Sequence, residues 1–232
     1  MDLQNIWQFL LAPIDLYCER TDSSLWAEPF NLFSNAAFLL VAWRLYYLAG
    51  KVEKEPARKA LVYLSIIAVM VATGSALFHS LPNPMTQLAD ALPIAVFVAL
   101  CVYFYIKERA DRQIPIQKSL TFCILFLLLG PVAGKLLGLA PYLSKGEFYL
   151  GLMPALVSLV VFEENKAKKL RILVATILFT FAFTARTLDV YICGNFPLGS
   201  HFVWHLCSAG VAYLMATVQA MGERKNGASV RA

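Results

Sequence analysis

Residues 59–80 read KALVYLSIIAVMVATGSALFHS. After Lys59 nothing ionisable interrupts the run until His79, and no period-2 alternation runs through it. A run of roughly 20 mainly apolar residues is what a helix needs to cross a bilayer core. Five more stretches match it, at about 30–50, 85–106, 117–139, 170–193 and 199–221, and a seventh at about 146–163 sits near the lower limit. The expected fold is therefore all-α, a bundle of seven transmembrane helices. Of 232 residues 59% are hydrophobic and 15% charged, against about a quarter charged in a soluble domain, so lipid is the solvent for much of the surface. One membrane domain, 1–232, accounts for the chain, with an outer N-terminal segment, 1–29, and a cytoplasmic tail, 222–232.

Charge in the loops sets the orientation. Lys51, Lys54, Arg58 and Lys59 follow the first span; Lys107, Arg109, Arg112 and Lys118 follow the third; Lys166, Lys168, Lys169 and Arg171 follow the fifth; Arg224, Lys225 and Arg231 lie in the tail. The opposite side holds only Arg20 and Lys145, while Arg44, Lys135 and Arg186 fall within spans. The positive-inside rule then puts the N-terminus outside and the C-terminus in the cytoplasm. A net charge of +5 spread over short loops is a topology signal and not a nucleic-acid surface. Ile6 to Pro13 lacks the basic lead and cleavage site of a secretory signal; a short interfacial helix anchored by Trp7 and Phe9 is expected there. Short loops suit a bacterial inner membrane, or the endoplasmic reticulum or Golgi in a eukaryote.

The only three histidines come to one depth. His79 closes the second span, and His201 and His205 open the seventh. The i, i+4 spacing of His201 and His205 puts both imidazoles on one helix face. With His79 they offer three ligands and leave one position open, the pattern of a catalytic zinc site. Asp90, about a turn into the third span, and Ser75, one turn before His79, share that depth. Ionisable groups within a membrane usually face the bundle interior. Hydrogen bonding between helices is the alternative use for the same residues.

Three blocks of sequence resemble the alkaline ceramidase family, part of a superfamily of seven-helix membrane hydrolases that includes the progestin/adipoQ receptors. They are Cys18-Glu19 with Ala27-Glu28-Pro-Phe-Asn31-Leu-Phe-Ser34-Asn35, then Gly74-Ser75-Ala-Leu-Phe78-His79 with Asp90-Ala-Leu-Pro93, then Leu188-Asp189 with His201-Phe-Val-Trp204-His205. The resemblance implies zinc (Zn2+) on His79, His201 and His205, and hydrolysis of the amide of ceramide or a similar N-acylated membrane lipid. It implies that Asp90 moves the proton and that Ser75 donates to the oxyanion. It also implies calcium (Ca2+) at the outer acidic segment, with Glu19, Asp22 and Glu28 as candidate ligands; Arg20 and Thr21 depart from the family's acidic-polar pair. A solvated acidic loop is the alternative there. A disulfide between Cys18 and Cys193 is expected, since relatives join these regions and both residues fall on the outer, oxidising side. Competing functions are a zinc-containing lipid esterase and a receptor or transporter with a structural metal.

Overall fold

The computed structural model describes residues 2–109, 116–143, 146–218 and 220–221. The apolar stretches become helices almost residue for residue. In chain order these are α1 (Leu3–Leu10), α2 (Pro29–Ser34), α3 (Ala36–Ala49), α4 (Glu55–Ser80), α5 (Pro84–Arg109), α6 (Ile116–Leu136), α7 (Glu147–Leu150), α8 (Leu152–Phe162), α9 (Lys166–Ile192) and α10 (His201–Val218). No strand occurs among the described residues. Pro29, Pro56 and Pro84 each sit in the first turn of a helix, where no intrahelical donor is lost. The Asn165 side chain caps α9 by accepting from the N–H groups of Ala167 and Lys168.

Among the described residues, five stretches are long and apolar enough to cross a membrane: Pro29–Ala49, Glu55–Ser80, Pro84–Glu108, Lys166–Ile192 and His201–Val218. Within the first, α2 passes into α3 through Asn35, whose backbone stays helical. The segment Glu147–Phe162 is a shorter apolar helix, and α6 is 21 residues long. Large apolar side chains such as Leu40, Trp43, Ile177 and Phe181 point outward, as a surface solvated by lipid requires. The protein is thus a multi-pass helical membrane bundle. The tail at 222–232, Arg112 and Lys145 lie outside the described residues.

Small side chains set the helix spacing. Ala42, Ala49, Ala68, Ala72, Ala209 and Ala216 line the shared core of α3, α4 and α10, with Leu45, Leu61 and Leu64 filling between them. Small residues let backbones approach where the surrounding solvent is itself apolar. One very close approach is at Gly74, where a Cβ would lie 2.1 Å from the Ala89 carbonyl oxygen of α5. That contact brings Ser75 of α4 beside Asp90 of α5. At the far end of the bundle, Lys168 pairs with Glu108 at 2.5 Å and Tyr105 donates to Glu163. The polar groups therefore gather at two ends, with the histidines at one and the basic loops at the other.

Replacing Gly74 by valine is expected to force α4 and α5 apart at a cost of about 1–3 kcal/mol, seen as a lower Tm in detergent. An unchanged Tm would mean that the two helices do not meet at this point.

Candidate metal centre and lipid cavity

Helix α4 brings His79 against His201 and His205 from the first turns of α10. All three are buried, at 1%, 2% and 3% exposure, and one ring nitrogen of each lies within 4.8 Å of the others. Their hydrogen-bond partners assign the tautomers. His79 Nδ1 meets Glu28 Oε2 at 2.6 Å, and a carboxylate oxygen accepts, so Nδ1 carries the hydrogen. Ser34 donates its own hydroxyl hydrogen to the Asn31 carbonyl. Its oxygen therefore accepts from His205 Nδ1, 2.7 Å away. Both Nε2 atoms are left with lone pairs, and they face each other at 3.2 Å. His201 Nδ1 is also buried, with no hydrogen-bond partner among the described residues. Two ring nitrogens this close, with an orphan imidazole nitrogen nearby, suit a shared cation; a hydrogen shared between His79 and His205 is the other use of the pair. The carboxylate and hydroxyl behind the rings are the outer partners that orient metal-binding imidazoles. The residues present fit a metal.

A second ring of residues holds this group in place. The buried Asp189 of α9 accepts from the backbone N–H groups of Ser200 at 2.6 Å, His201 at 2.8 Å and Cys18 at 2.9 Å. The carboxylate thus anchors the start of α10, where the helix dipole favours negative charge. Gly199 is at φ +62°, and a Cβ there would lie 2.1 Å from Asp189 Oδ1, so the turn and the close approach both require glycine. Cys18 is disulfide-bonded to Cys193 across a separation of 175 residues, closing the same corner; Cys207 is a free thiol. Tyr17 stacks on the His201 ring at 3.6 Å, and burial pushes its phenol up to about 12.

Asp90 and Ser75 meet where the helix crossing puts them, with Ser75 in hydrogen-bonding reach of the carboxylate. Asp90 Oδ1 is buried with no partner among the described residues. Both residues, with His201 and His205, line the head of a cavity of about 1250 Å³. Its body is apolar and extends along α5 as far as Ile106. The 16 steps from Asp90 to Ile106 rise about 24 Å at 1.5 Å each, close to the thickness of a bilayer core. The site therefore joins a polar head to a slot the length of an acyl chain.

The acidic segment is arranged otherwise than the expected calcium cluster of Glu19, Asp22 and Glu28. Both Glu19 oxygens accept from the N–H groups of Phe30 and Asn31 at the start of α2, and burial raises its carboxyl despite these bonds. Asp22 is exposed and accepts from the Ser24 N–H. Glu28 accepts from His79, Asn31 and Arg20; burial works against its ionisation, but these partners outweigh it and hold the carboxyl low. Arg20 supplies the positive charge at the centre. It donates to Glu28 at 2.6 Å, to the His79 carbonyl at 2.8 Å and to the carbonyls of Asp22 and Ser24. Among the described residues, His79, His201 and His205 are the group of metal-ligating side chains that converges.

Ser34, Asp189, Tyr17 and Arg186 all serve this region without having been given a role from sequence. Asp189 and Arg186 carried a signal, since each is an ionisable residue inside an apolar stretch. Ser34 and Tyr17 carried none, because nothing in their local pattern says which ring they will touch.

Fold and site define a helical membrane protein with a buried three-histidine cluster at the head of an apolar cavity. A protein-family model described as Ceramidase matches residues 12–230, nearly the whole chain, and the protein belongs to that family. No curated protein and no solved structure matches it. Membership implies an amidohydrolase acting on ceramide-type lipid.

Replacing Asp189 by alanine takes the acceptor from three backbone N–H groups, that of the buried His201 among them, and a loss of about 2 kcal/mol is expected. Thermal unfolding would show it, with the metal content of the purified protein falling in parallel. Wild-type stability and metal content together would mean that Asp189 does not anchor α10.

Proposed function

We propose that the protein is a zinc-dependent intramembrane hydrolase that cleaves the amide of ceramide or a similar N-acylated lipid to a fatty acid and a free amine. The observation that carries this reading is the convergence of three imidazole nitrogens beside Asp90 and Ser75 at the head of an acyl-sized cavity. Zinc, when bound, supplies Lewis acidity that polarises a carbonyl and acidifies water.

The chain's own groups do the rest. Asp90 takes a proton from the attacking water and returns it to the leaving nitrogen. Its Oδ1 has no hydrogen-bond partner among the described residues, which suits a carboxylate that must gain and lose a proton. Ser75 donates a hydrogen bond to the carbonyl oxygen as negative charge develops there. Glu28 and Ser34 hold His79 and His205 in the tautomers that leave Nε2 free. The apolar body of the cavity seats the acyl chain and keeps bulk water from the amide.

In the membrane the chain makes seven spans, with α2–α3, α4, α5, α6, α7–α8, α9 and α10 as the crossings. The N-terminus lies outside and the tail lies in the cytoplasm. Support comes from the basic residues after the first, third and fifth crossings and in the tail. The histidine end then faces the periplasm of a bacterial inner membrane, or the lumen of the endoplasmic reticulum or Golgi.

Purified protein should release free fatty acid from N-acyl lipids in preference to O-acyl lipids of the same chain length. Asp90→Asn should lower turnover by about 10²–10⁴-fold while zinc stays bound, and Ser75→Ala should cost less. Near-normal turnover in Asp90→Asn would remove the proton carrier from the account. Release from O-acyl lipids alone would make the protein an esterase.

A further inference from the structure

Calcium is implied at the outer acidic segment by the family resemblance, and the residues there do not fit it. A calcium ion takes about 6–8 oxygen ligands, carboxylates and backbone carbonyls among them. Both Glu19 oxygens are held by the N–H groups of Phe30 and Asn31, and Asp22 accepts from the Ser24 N–H. The remaining oxygens gather on the Arg20 side chain. Its Nε donates to Glu28 Oε1 at 2.6 Å, its Nη1 to the carbonyls of Asp22 at 3.0 Å and Ser24 at 3.4 Å, and its Nη2 to the His79 carbonyl at 2.8 Å. All four acceptors are oxygens, drawn from the 22–24 loop, from the residue before α2 and from the last turn of α4. The side chains of Arg20 and Glu28 are 6% and 3% exposed.

We propose that Arg20 is a positioning residue for His79 that stands where the acidic segment would otherwise hold a divalent cation, so that the protein neither binds calcium there nor needs it. The consequence for zinc rests on the metal-centre reading; the exclusion of calcium does not.

Arg20 grips His79 at two points. The first is the His79 carbonyl, in the last turn of α4, where carbonyls lack an intrahelical donor and the helix dipole favours a cation. The second runs through Glu28, which has Oε1 on Arg20 and Oε2 on His79 Nδ1. A carboxylate behind a metal-binding imidazole fixes its tautomer and direction, and one buried this deeply requires a matching charge. Calcium could supply that charge and draw in the same carbonyls. A guanidinium supplies it permanently, through donors fixed in one plane. A calcium ion entering the segment would have to take four acceptors from Arg20 and sit beside its positive charge.

The test is equilibrium dialysis of the purified protein against radiolabelled calcium chloride, with zinc affinity and Tm measured in parallel. Wild-type protein should show no saturable calcium binding with a Kd below about 1 mM, the weak end of protein calcium sites, and its Tm should not respond to calcium. Arg20→Ala removes the cation and leaves Glu28 and the three carbonyls in place. It should bind about one calcium per chain, and its Tm should rise as calcium is added. Without calcium its zinc affinity should be about 10–100-fold weaker than that of the wild type, and calcium should restore it. A side chain that only filled space would give a loss that calcium does not repair.

Saturable calcium binding by the wild type at about 1 mM or tighter would overturn the proposal. So would an Arg20→Ala variant with wild-type zinc affinity, or one whose loss calcium fails to repair. If Arg20→Ala does not fold, Arg20→Lys replaces it: it keeps the charge and should bind no calcium, and calcium binding by it or by the wild type would overturn the proposal. The metal-centre reading fails separately. A wild-type protein that takes up no zinc would sink that reading, while the calcium measurements would still judge Arg20.

Discussion

A carboxylate buried in an apolar bundle must be met by donors, and the way Asp189 is met organises one end of this protein. Its oxygens take backbone N–H groups from Cys18, Ser200 and His201. One side chain thus ties the N-terminal segment, the turn before α10 and the first residue of that helix to α9. The disulfide between Cys18 and Cys193 makes the tie covalent. With the corner closed, Tyr17 lies on His201 and Arg20 reaches the carbonyl of His79. Glu28 is then in place to receive His79 Nδ1. Each imidazole is aimed by something other than the helix that carries it.

The same logic separates the polar work of the site. Glu28 and Ser34 sit behind the rings, Asp90 and Ser75 beside them, and Arg186 on the far side of Tyr17. Unpaired polar atoms are costly in a bundle surrounded by lipid. Two of the buried polar atoms with no partner among the described residues, His201 Nδ1 and Asp90 Oδ1, are at the head of the cavity, where a metal and a substrate would meet them. The helices can crowd these groups together because their contacts are small. Gly74 against Ala89 is the clearest case, since the backbone contact and the Ser75–Asp90 pair lie one residue apart on each helix.

How much of this was legible depended on the range of the interaction. Helices of twenty-odd apolar residues announce themselves, because hydrocarbon leaves the backbone few other options. The histidine cluster was legible because the i, i+4 pair and the end of the second long stretch define a common depth with no knowledge of packing. Asp90 and Ser75 followed from the same depth argument. The acidic segment was not legible. Three acids within ten residues, Glu19, Asp22 and Glu28, resemble a cation cage in sequence, and only the fold reveals that Arg20 turns inward among their acceptors. Asp189 is an acid inside an apolar stretch, but its partners come from residues 18, 200 and 201, a juxtaposition that local patterns do not encode. The split of the 146–163 stretch into α7 and α8 was likewise invisible at the level of hydropathy.

The proposed metal site makes the sharpest demand, because the chain has only three histidines. Zinc-edge X-ray absorption on untagged purified protein counts the imidazoles around the ion directly. The account predicts three histidine nitrogens at about 2.0–2.1 Å, completed by an oxygen donor. That count can be reached only if His79, His201 and His205 all bind. A shell with fewer than three imidazoles, or one with a sulfur near about 2.3 Å, would contradict it.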